Sequence, residues 1–137
     1  MDHSPLAHAL ERVGDRWTLL TVAALLDGPR RFNELQEAVA GIAPNTLSQR
    51  LRHLEHEALL IARPYSQRPR RFAYELTSAG RELADALRLL ADWGGRSAPD
   101  AQPLTHALCG TPLETRWWCP TCEEVVNEPE AADAVEV

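Results

Sequence analysis

One amphipathic helix is predicted by the sequence Pro44-Asn-Thr-Leu-Ser-Gln-Arg-Leu-Arg-His-Leu-Glu-His-Glu57. Proline is well suited to the first position of a helix. On a helical wheel the apolar side consists of Leu47, Leu51, Leu54 and Ala58. The opposite side carries Asn45, Ser48, Gln49, Arg52 and His56. These amide, hydroxyl and guanidinium groups can pair with base edges and phosphates, although an ordinary solvated helix face is the alternative interpretation.

Three shorter helices are predicted before this one. The first follows Pro5, with Ser4 placed to cap it, and the second begins near Trp17 and ends at Asp27-Gly28-Pro29. The third is marked by the apolar positions Phe32, Leu35 and Val39.

A β-hairpin with a basic tip is predicted after the amphipathic helix. Residues 60–64 and 71–76 are expected to form its strands, and residues 65–70 its tip. Thr77 can then cap a final long helix that ends at Gly94-Gly95. The apolar stripe of that helix consists of Leu83, Leu87, Leu90 and Trp93.

This order of elements is that of a winged helix-turn-helix. We therefore predict a mainly α fold with a small β-hairpin wing (α+β) over residues 1–97, which would both bind DNA and dimerise. A linker is expected over residues 98–104 and a zinc-ribbon-like segment over residues 105–124. Residues 125–137 are expected to form an acidic, disordered tail.

The net charge of −6 is unevenly distributed along the chain. Residues 1–97 hold 13 arginines and 12 acidic residues, whereas residues 98–137 hold one arginine and eight acidic residues. Residues 50–71 contain six arginines and two acidic residues, a local positive excess that favours a polyanionic partner. All 14 basic residues are arginine, which suits phosphates and base edges, although codon bias explains this equally well.

Several classes of protein are disfavoured by the sequence. The start lacks the regions of a signal peptide and no apolar run exceeds residues 22–26, so we expect a cytoplasmic protein with no membrane segment. Three cysteines cannot complete a disulfide framework. We find no catalytic triad, no plausible pair of carboxylates and no phosphate loop with its lysine, and we therefore predict that the chain is not an enzyme.

Several motifs in register resemble those of the HxlR-type regulators, within the wider MarR-like winged-helix group. The resemblance spans about residues 4–95. The motifs are Gly14-Asp-Arg-Trp17, Leu26-Asp-Gly-Pro-Arg-Arg-Phe-Asn-Glu-Leu35, Gly41-Ile42, Leu47-Ser-Gln-Arg-Leu-Arg-His-Leu-Glu55 and Tyr74-Glu-Leu-Thr-Ser-Ala-Gly80.

The resemblance implies a dimeric transcription regulator whose recognition helices enter successive major grooves of double-stranded DNA. On the recognition helix it implies DNA contacts by Asn45, Thr46, Ser48, Gln49 and Arg52. On the wing it implies contacts by Arg68, Arg70 and Arg71. A homodimer of this kind requires an inverted repeat with half-site centres about 10 bp apart. The candidate dimer interface, with the intramolecular core as the alternative role, consists of Leu6, Leu10, Leu83, Leu87, Leu90 and Trp93.

This chain departs from the resembled family at two positions. Many members carry a redox-sensing cysteine before an N-terminal Pro-Leu pair, and this chain has Ser4 there. Relatives usually have a capping hydroxyl before the recognition helix, and this chain has Ala43. The N-terminal thiol switch is therefore absent, and the identity of any small-molecule effector stays open.

The cysteines follow the spacing H-x2-C-x9-C-x2-C, which resembles a zinc ribbon with one cysteine replaced by histidine. We predict one structural zinc ion per chain, bound by His106, Cys109, Cys119 and Cys122. Glu123 or Glu124 could replace His106, and three free thiols are the alternative.

The expected function is that of a sequence-specific DNA-binding transcription regulator, in the first place a repressor, that binds an inverted repeat as a homodimer. Two alternatives involve the cysteine segment. It would make the chain either a protein-interaction module on a winged-helix scaffold or a regulator that responds to metals or oxidants.

Overall fold

A computed structural model of the chain describes residues 4–126. Its contacts distinguish two compact units, Leu10–Leu90 and, among the described residues, 4–9 with 91–126. The predicted division after residue 97 stays a prediction, because these units are defined by contacts and not by independent folding. No helix within residues 4–126 is long and apolar enough to cross a lipid bilayer.

Helices predominate, as predicted. They are α1 (Pro5–Val13), α2 (Arg16–Leu25), α3 (Phe32–Ala38), α4 (Pro44–His56), α5 (Ser78–Arg81) and α6 (Ala84–Gly95). The strands are β1 (Arg30–Arg31), β2 (Leu60–Gln67), β3 (Arg70–Leu76), β4 (Trp117–Cys119) and β5 (Glu124–Val126). The first three strands form one antiparallel sheet in the order β1-β3-β2, and β4 pairs with β5.

Helix α2 begins at a side-chain cap that also contacts α4. Asp15 Oδ1 accepts hydrogen bonds from the backbone N–H of Trp17 at 3.0 Å and of Thr18 at 3.2 Å. Arg50 Nε lies 3.0 Å from the same oxygen. Partial burial raises the pKa of Asp15, but the hydrogen bonds from Thr18 and the charge of Arg50 outweigh it and lower the pKa overall. This carboxylate therefore fixes the start of one helix to the side of another.

Helix α4 supplies the centre of the core. Leu47, Leu51 and Leu54 are at most 2% exposed, which confirms three of the four predicted apolar positions. The prediction for Ala58 was wrong. This residue lies beyond the helix with φ of +59°, and Leu59 N–H bonds back to the carbonyl of Leu54 at 3.0 Å. The left-handed turn ends the helix, exposes Ala58 and lets Leu59 enter the core.

The wing is longer and its turn tighter than the sequence predicted. The strands extend to Gln67 and from Arg70, so that only Arg68 and Pro69 lie between them. Pro64 did not end β2, because β2 is an edge strand on which a missing N–H is tolerated. Strand β1 was not predicted, since its two residues are too few to show an alternating pattern.

The predicted long helix after Thr77 is two helices. Thr77 caps the first of them, accepting a hydrogen bond from Gly80 N–H at 3.2 Å, as predicted. Helix α5 then ends at Arg81, and α6 begins three residues later. Leu83 and Leu87 pack against the core from this break onward. A Cβ at position 80 would lie 2.2 Å from the carbonyl oxygen of Leu59, so this contact requires glycine.

The last described strands form a small hairpin. Trp117 pairs with Val126, and Trp118 pairs with Val125. The predicted disordered tail therefore begins too early, because β-branched Val125 and Val126 belong to β5. The rest of that predicted tail, from residue 127 onward, lies outside the described residues. The predicted linker, residues 98–104, contains neither helix nor strand.

We expect Asp15→Ala to lower the free energy of unfolding by about 1 kcal/mol, because the substitution removes the cap of α2. Asp15→Asn keeps a capping oxygen and should cost less, so it is the matched control. Urea denaturation of both variants and of the wild-type chain measures the difference.

The difference in the free energy of unfolding between the wild-type chain and Asp15→Asn should depend on pH. The folded pKa of Asp15 is below its usual value of 3.8, so its charge stabilises the fold above that pH. This contribution is lost as the pH falls through the folded pKa, and the advantage of wild type over Asp15→Asn should shrink with it. An advantage that stays constant between neutral and strongly acidic pH would contradict this role.

Candidate nucleic-acid interface

The polar side of α4 faces solvent. Asn45, Gln49 and Arg52 are exposed, while Thr46 and Ser48 are half-buried. Arg52 Nε lies 3.4 Å from the carbonyl oxygen of Ser48, a long contact that leaves most of the guanidinium free. The five side chains predicted to face DNA on this helix therefore lie on its accessible side. Whether they contact bases stays a prediction.

The end of α4 is fixed to α1 by side chains that take no part in this surface. His53 Nε2 hydrogen-bonds the carbonyl oxygen of Arg12 at 2.6 Å. Arg12 Nε in turn donates to Glu57 Oε2 at 2.6 Å. This hydrogen bond and the charge of Arg12 hold the pKa of Glu57 below its usual value. Together with the ion pair of Arg50 to Asp15, these contacts set the orientation of the exposed side.

The predicted wing arginines lie together near the turn of the hairpin. Arg68, Arg70 and Arg71 are all exposed. Arg70 lies over the ring of Phe72, with its guanidinium carbon 5.3 Å from the ring centroid. In contrast, Arg63, farther along the wing, forms an ion pair in which its Nε lies 2.9 Å from Glu75 Oε1.

Ion pairing separates the arginines into two groups. Six form ion pairs with carboxylates, namely Arg12, Arg50, Arg63, Arg88, Arg96 and Arg116. Arg52 on α4 and the three predicted wing arginines have no carboxylate partner within residues 4–126. The uncompensated positive charge therefore includes every arginine predicted to contact DNA.

Arg31 belongs to the same surface and was not predicted as a site residue. Its guanidinium carbon lies 4.4 Å from the ring centroid of Tyr65. Only the pairing of β1 with β3 brings it beside the wing, so the one signal in the sequence was the doublet Arg30-Arg31 before the third helix. Arg30 points elsewhere and donates to the carbonyl of Ala24 at 2.6 Å.

Two adjoining grooves lie between α3, α4 and the wing. The first, of about 540 Å³, is lined by Arg31, Phe32, Asn33, Glu34, Tyr65, Arg70, Arg71, Phe72 and Tyr74. The second, of about 470 Å³, is lined by Phe32, Ser48, Leu51, Arg52, Glu55, Ala62, Phe72 and Tyr74. The two grooves share three aromatic residues, Phe32, Phe72 and Tyr74, so the groove beside α4 and the groove beside the wing are neighbours.

The predicted dimer residues fall into two classes. Leu83 and Leu87 are half-buried and pack against the core of their own chain. The other four are about half exposed or more, with Leu6 at 49%, Leu10 at 52%, Leu90 at 52% and Trp93 at 68%. These four leave apolar surface on α1 and α6 available to a partner.

The predicted metal ligands come together in pairs. His106 Nδ1 lies 3.3 Å from Cys109 Sγ, and Cys122 N–H donates to Cys119 Sγ at 3.5 Å. In the described part of the chain, no three His, Cys, Asp or Glu side chains lie close enough together to hold a metal ion. Hydrogen bonds with Thr111, and one with His106, lower the pKa of the Cys109 thiol to about 7.

Comparison with known proteins places this arrangement in a family. The model of the HxlR-like helix-turn-helix family matches residues 12–102. The uncharacterised HTH-type transcriptional regulator Rv3095 of Mycobacterium tuberculosis is 41% identical over 126 residues, which cover 89% of this chain and 79% of the relative. A similar regulator of Escherichia coli, YtfH, is 30% identical over 99 residues, which cover 72% and 79% of the two chains.

Solved structures of transcription regulators are also similar to this chain. A Pseudomonas aeruginosa structure, PA1374, described as a candidate transcription factor, is 33% identical with a TM-score of 0.69 and covers 92% of this chain and 88% of its own. The reduced form of the transcriptional regulator YodB from Bacillus subtilis is 26% identical with a TM-score of 0.59, covering 74% and 100%. These findings confirm the predicted class, a DNA-binding transcription regulator and not an enzyme. The chain belongs to the HxlR-like helix-turn-helix family.

Proposed function

We propose that this regulator acts in the cytoplasm as a homodimer that binds an inverted repeat in duplex DNA and represses transcription there. The observation that carries the proposal is the exposed polar side of α4 beside wing arginines without carboxylate partners in residues 4–126. A dimer seated on two half-sites about 10 bp apart excludes other proteins from the same DNA, and repression follows from that exclusion.

Binding to DNA would require two kinds of contact, one to the base edges and one to the phosphates. Asn45, Gln49 and Arg52 offer amide and guanidinium groups that match the edges of adenine and guanine in the major groove. Arg68, Arg70 and Arg71 neutralise phosphates, which adds affinity without sequence information. Base contacts thus choose the site, and phosphate contacts hold the protein on it.

We expect Arg52→Ala to reduce the preference for the selected operator over random-sequence duplex by about fivefold or more, since one bidentate base contact contributes about 1–3 kcal/mol of discrimination. Arg70→Ala should instead weaken binding to both DNAs and reduce the slope of log K against log salt by about 0.9 for each phosphate that is no longer neutralised. The operator is first selected by the wild-type chain from a random duplex library, and fluorescence anisotropy then measures both effects.

Arg81→Ala is the matched control, because Arg81 is exposed on α5 and lines neither groove. If neither Arg52→Ala nor Arg70→Ala differs from this control, the DNA-binding surface is misassigned. A wild-type chain that selects no operator would instead favour the alternative in which the chain docks another protein.

Dimer formation is proposed through the exposed apolar residues of α1 and α6. Leu6 and Leu10 on α1 and Leu90 and Trp93 on α6 support it, because exposed apolar surface of this kind is stabilised by burial against a second copy. Leu83 and Leu87 would support the dimer indirectly, because they pack against the core of their own chain and so hold α6 in place.

We expect Trp93→Glu to shift the chain from dimer to monomer, because a carboxylate would be buried without a partner in the interface. Light scattering coupled to size exclusion measures the mass. Leu108→Glu places the same charge on a leucine that is 89% exposed outside α1 and α6, and it should stay dimeric. A wild-type monomer, or a Trp93→Glu dimer as stable as wild type, contradicts this interface.

A structural zinc ion between the two turns of the cysteine segment is also part of the proposal. The donor chemistry supports it, because three thiolates and an imidazole are a set that zinc prefers. The turn at Cys109 uses Gly110 with φ of +72°, and that at Cys119 directs a backbone N–H at the sulfur, an arrangement that stabilises a thiolate. His106, Cys109, Cys119 and Cys122 would hold the ion, which would join the two pairs and stabilise the segment.

We expect a native mass spectrum of the freshly purified, reduced chain to show one zinc ion per subunit. Cys119→Ser should lose it, because two thiolates and an imidazole bind zinc far less tightly than the full set. Thr121→Ala changes a neighbour that offers no ligand and should retain the ion. Metal-free wild-type protein with reduced thiols would overturn the zinc site.

A further inference from the structure

Strand β2 contains a β-bulge at Tyr65, a residue that was not among the predicted DNA contacts. Its register against β3 shifts between Pro64 and Ser66, so that Tyr65 has no partner in the ladder. A bulge of this kind bends the strand and redirects the side chain of the extra residue. Here the ring of Tyr65 lies against the guanidinium of Arg31 from β1, although β3 lies between the two strands in the sheet.

Arg31 is thereby positioned without being neutralised. Its guanidinium carbon lies 4.4 Å from the Tyr65 ring centroid, and it forms no ion pair with any carboxylate in residues 4–126. Contact with an aromatic face restrains a guanidinium while the N–H groups at its edge can still bind an anion. Arg70 is restrained in the same way by Phe72, and both arginines line the groove of about 540 Å³.

The same groove contains one carboxylate, and that carboxylate is already engaged. Glu34 Oε1 accepts the backbone N–H of Arg31 at 3.0 Å, which caps the start of α3. Three arginines, Arg31, Arg70 and Arg71, therefore line the groove against one acidic residue, and the local charge is positive.

We propose that this groove is a phosphate-binding cleft for the DNA backbone, in which Arg31, restrained by Tyr65, contacts a phosphate beyond the base pairs that α4 reads. The groove adjoins the one lined by Ser48 and Arg52 of α4, so a duplex on the recognition helix passes close to it. A phosphodiester is the matching ligand, because planar guanidinium groups bind phosphate oxygens in pairs and the groove is open enough to admit a backbone. The inference rests on the proposed DNA binding and adds a third anchoring element to it.

The test measures the salt dependence of binding to a random-sequence duplex of about 30 bp, a length that admits two half-sites. We expect Arg31→Ala to reduce the slope of log K against log salt by about 0.9 per protomer. Its preference for operator over random DNA should be unchanged, since a phosphate contact carries no sequence information. Arg31→Gln keeps most of the side-chain length and should show the same reduction, which guards against a folding defect in the alanine variant.

Arg16→Ala is the matched control, because Arg16 is exposed and its guanidinium carbon lies 4.6 Å from the ring centroid of Trp17, outside both grooves. It should keep the wild-type slope. Tyr65→Ala should lower the affinity for random DNA severalfold, and Tyr65→Phe should restore it, because phenylalanine keeps the aromatic face.

A wild-type slope for both folded Arg31 variants overturns the proposal, and so does an equal reduction in Arg16→Ala. A Tyr65→Phe variant as weak as Tyr65→Ala overturns the role of the ring. These outcomes are distinct from failure of the proposed function, which would appear as a wild-type chain that selects no operator, or as an Arg52→Ala variant with the wild-type preference for the selected operator.

Discussion

Burial of one row of leucines on α4 is the constraint on which the other features of the domain depend. Leu47, Leu51 and Leu54 lie at the centre of the core, and each contributes about 1.5–3 kcal/mol through removal from water. Rotation of α4 about its axis would expose them, so the opposite side of the helix is held toward solvent. The orientation of the polar side chains is therefore set by the burial of leucines on the opposite side of the helix.

Arginine serves two separate purposes in this fold. Where it meets a carboxylate, as in Arg12 with Glu57 and Arg50 with Asp15, it connects helices at the edge of the core. Where it forms no ion pair with a carboxylate of residues 4–126, as with Arg52 and Arg70, the charge remains available to a ligand. A net charge of −6 for the whole chain conceals this separation, because the excess of acidic over basic residues lies beyond residue 97. The distribution of charge, and not its total, is compatible with a polyanionic partner.

The sequence predicted the elements whose signals are local. The alternation of leucine with polar residues after Pro44 identifies α4 and its two sides, and Thr77 marks the start of α5. The sequence could not predict that Ala58 is exposed, because a helical wheel contains no information about a left-handed turn. The prediction ended the first wing strand at Pro64, but β2 continues to Gln67. The sequence does not show which strands lie at the edge of a sheet, where a proline is tolerated. Arg31 was missed for a related reason, because only pairing across β3 brings it to Tyr65.

The bulge at Tyr65 also constrains how the wing can change in length. Side chains alternate between the two faces of a strand, so an odd number of inserted or deleted residues reverses every position beyond the change. Ser66 and Gln67 follow the bulge and pair with Arg71 and Arg70. A deletion of Tyr65 alone would leave Ser66 paired with Arg71 and Gln67 with Arg70 on their present faces, and would remove only the extra residue that lies against Arg31. The wing can therefore change in length by pairs of residues, by one residue at the bulge, or at the Arg68-Pro69 turn, where alternation ends.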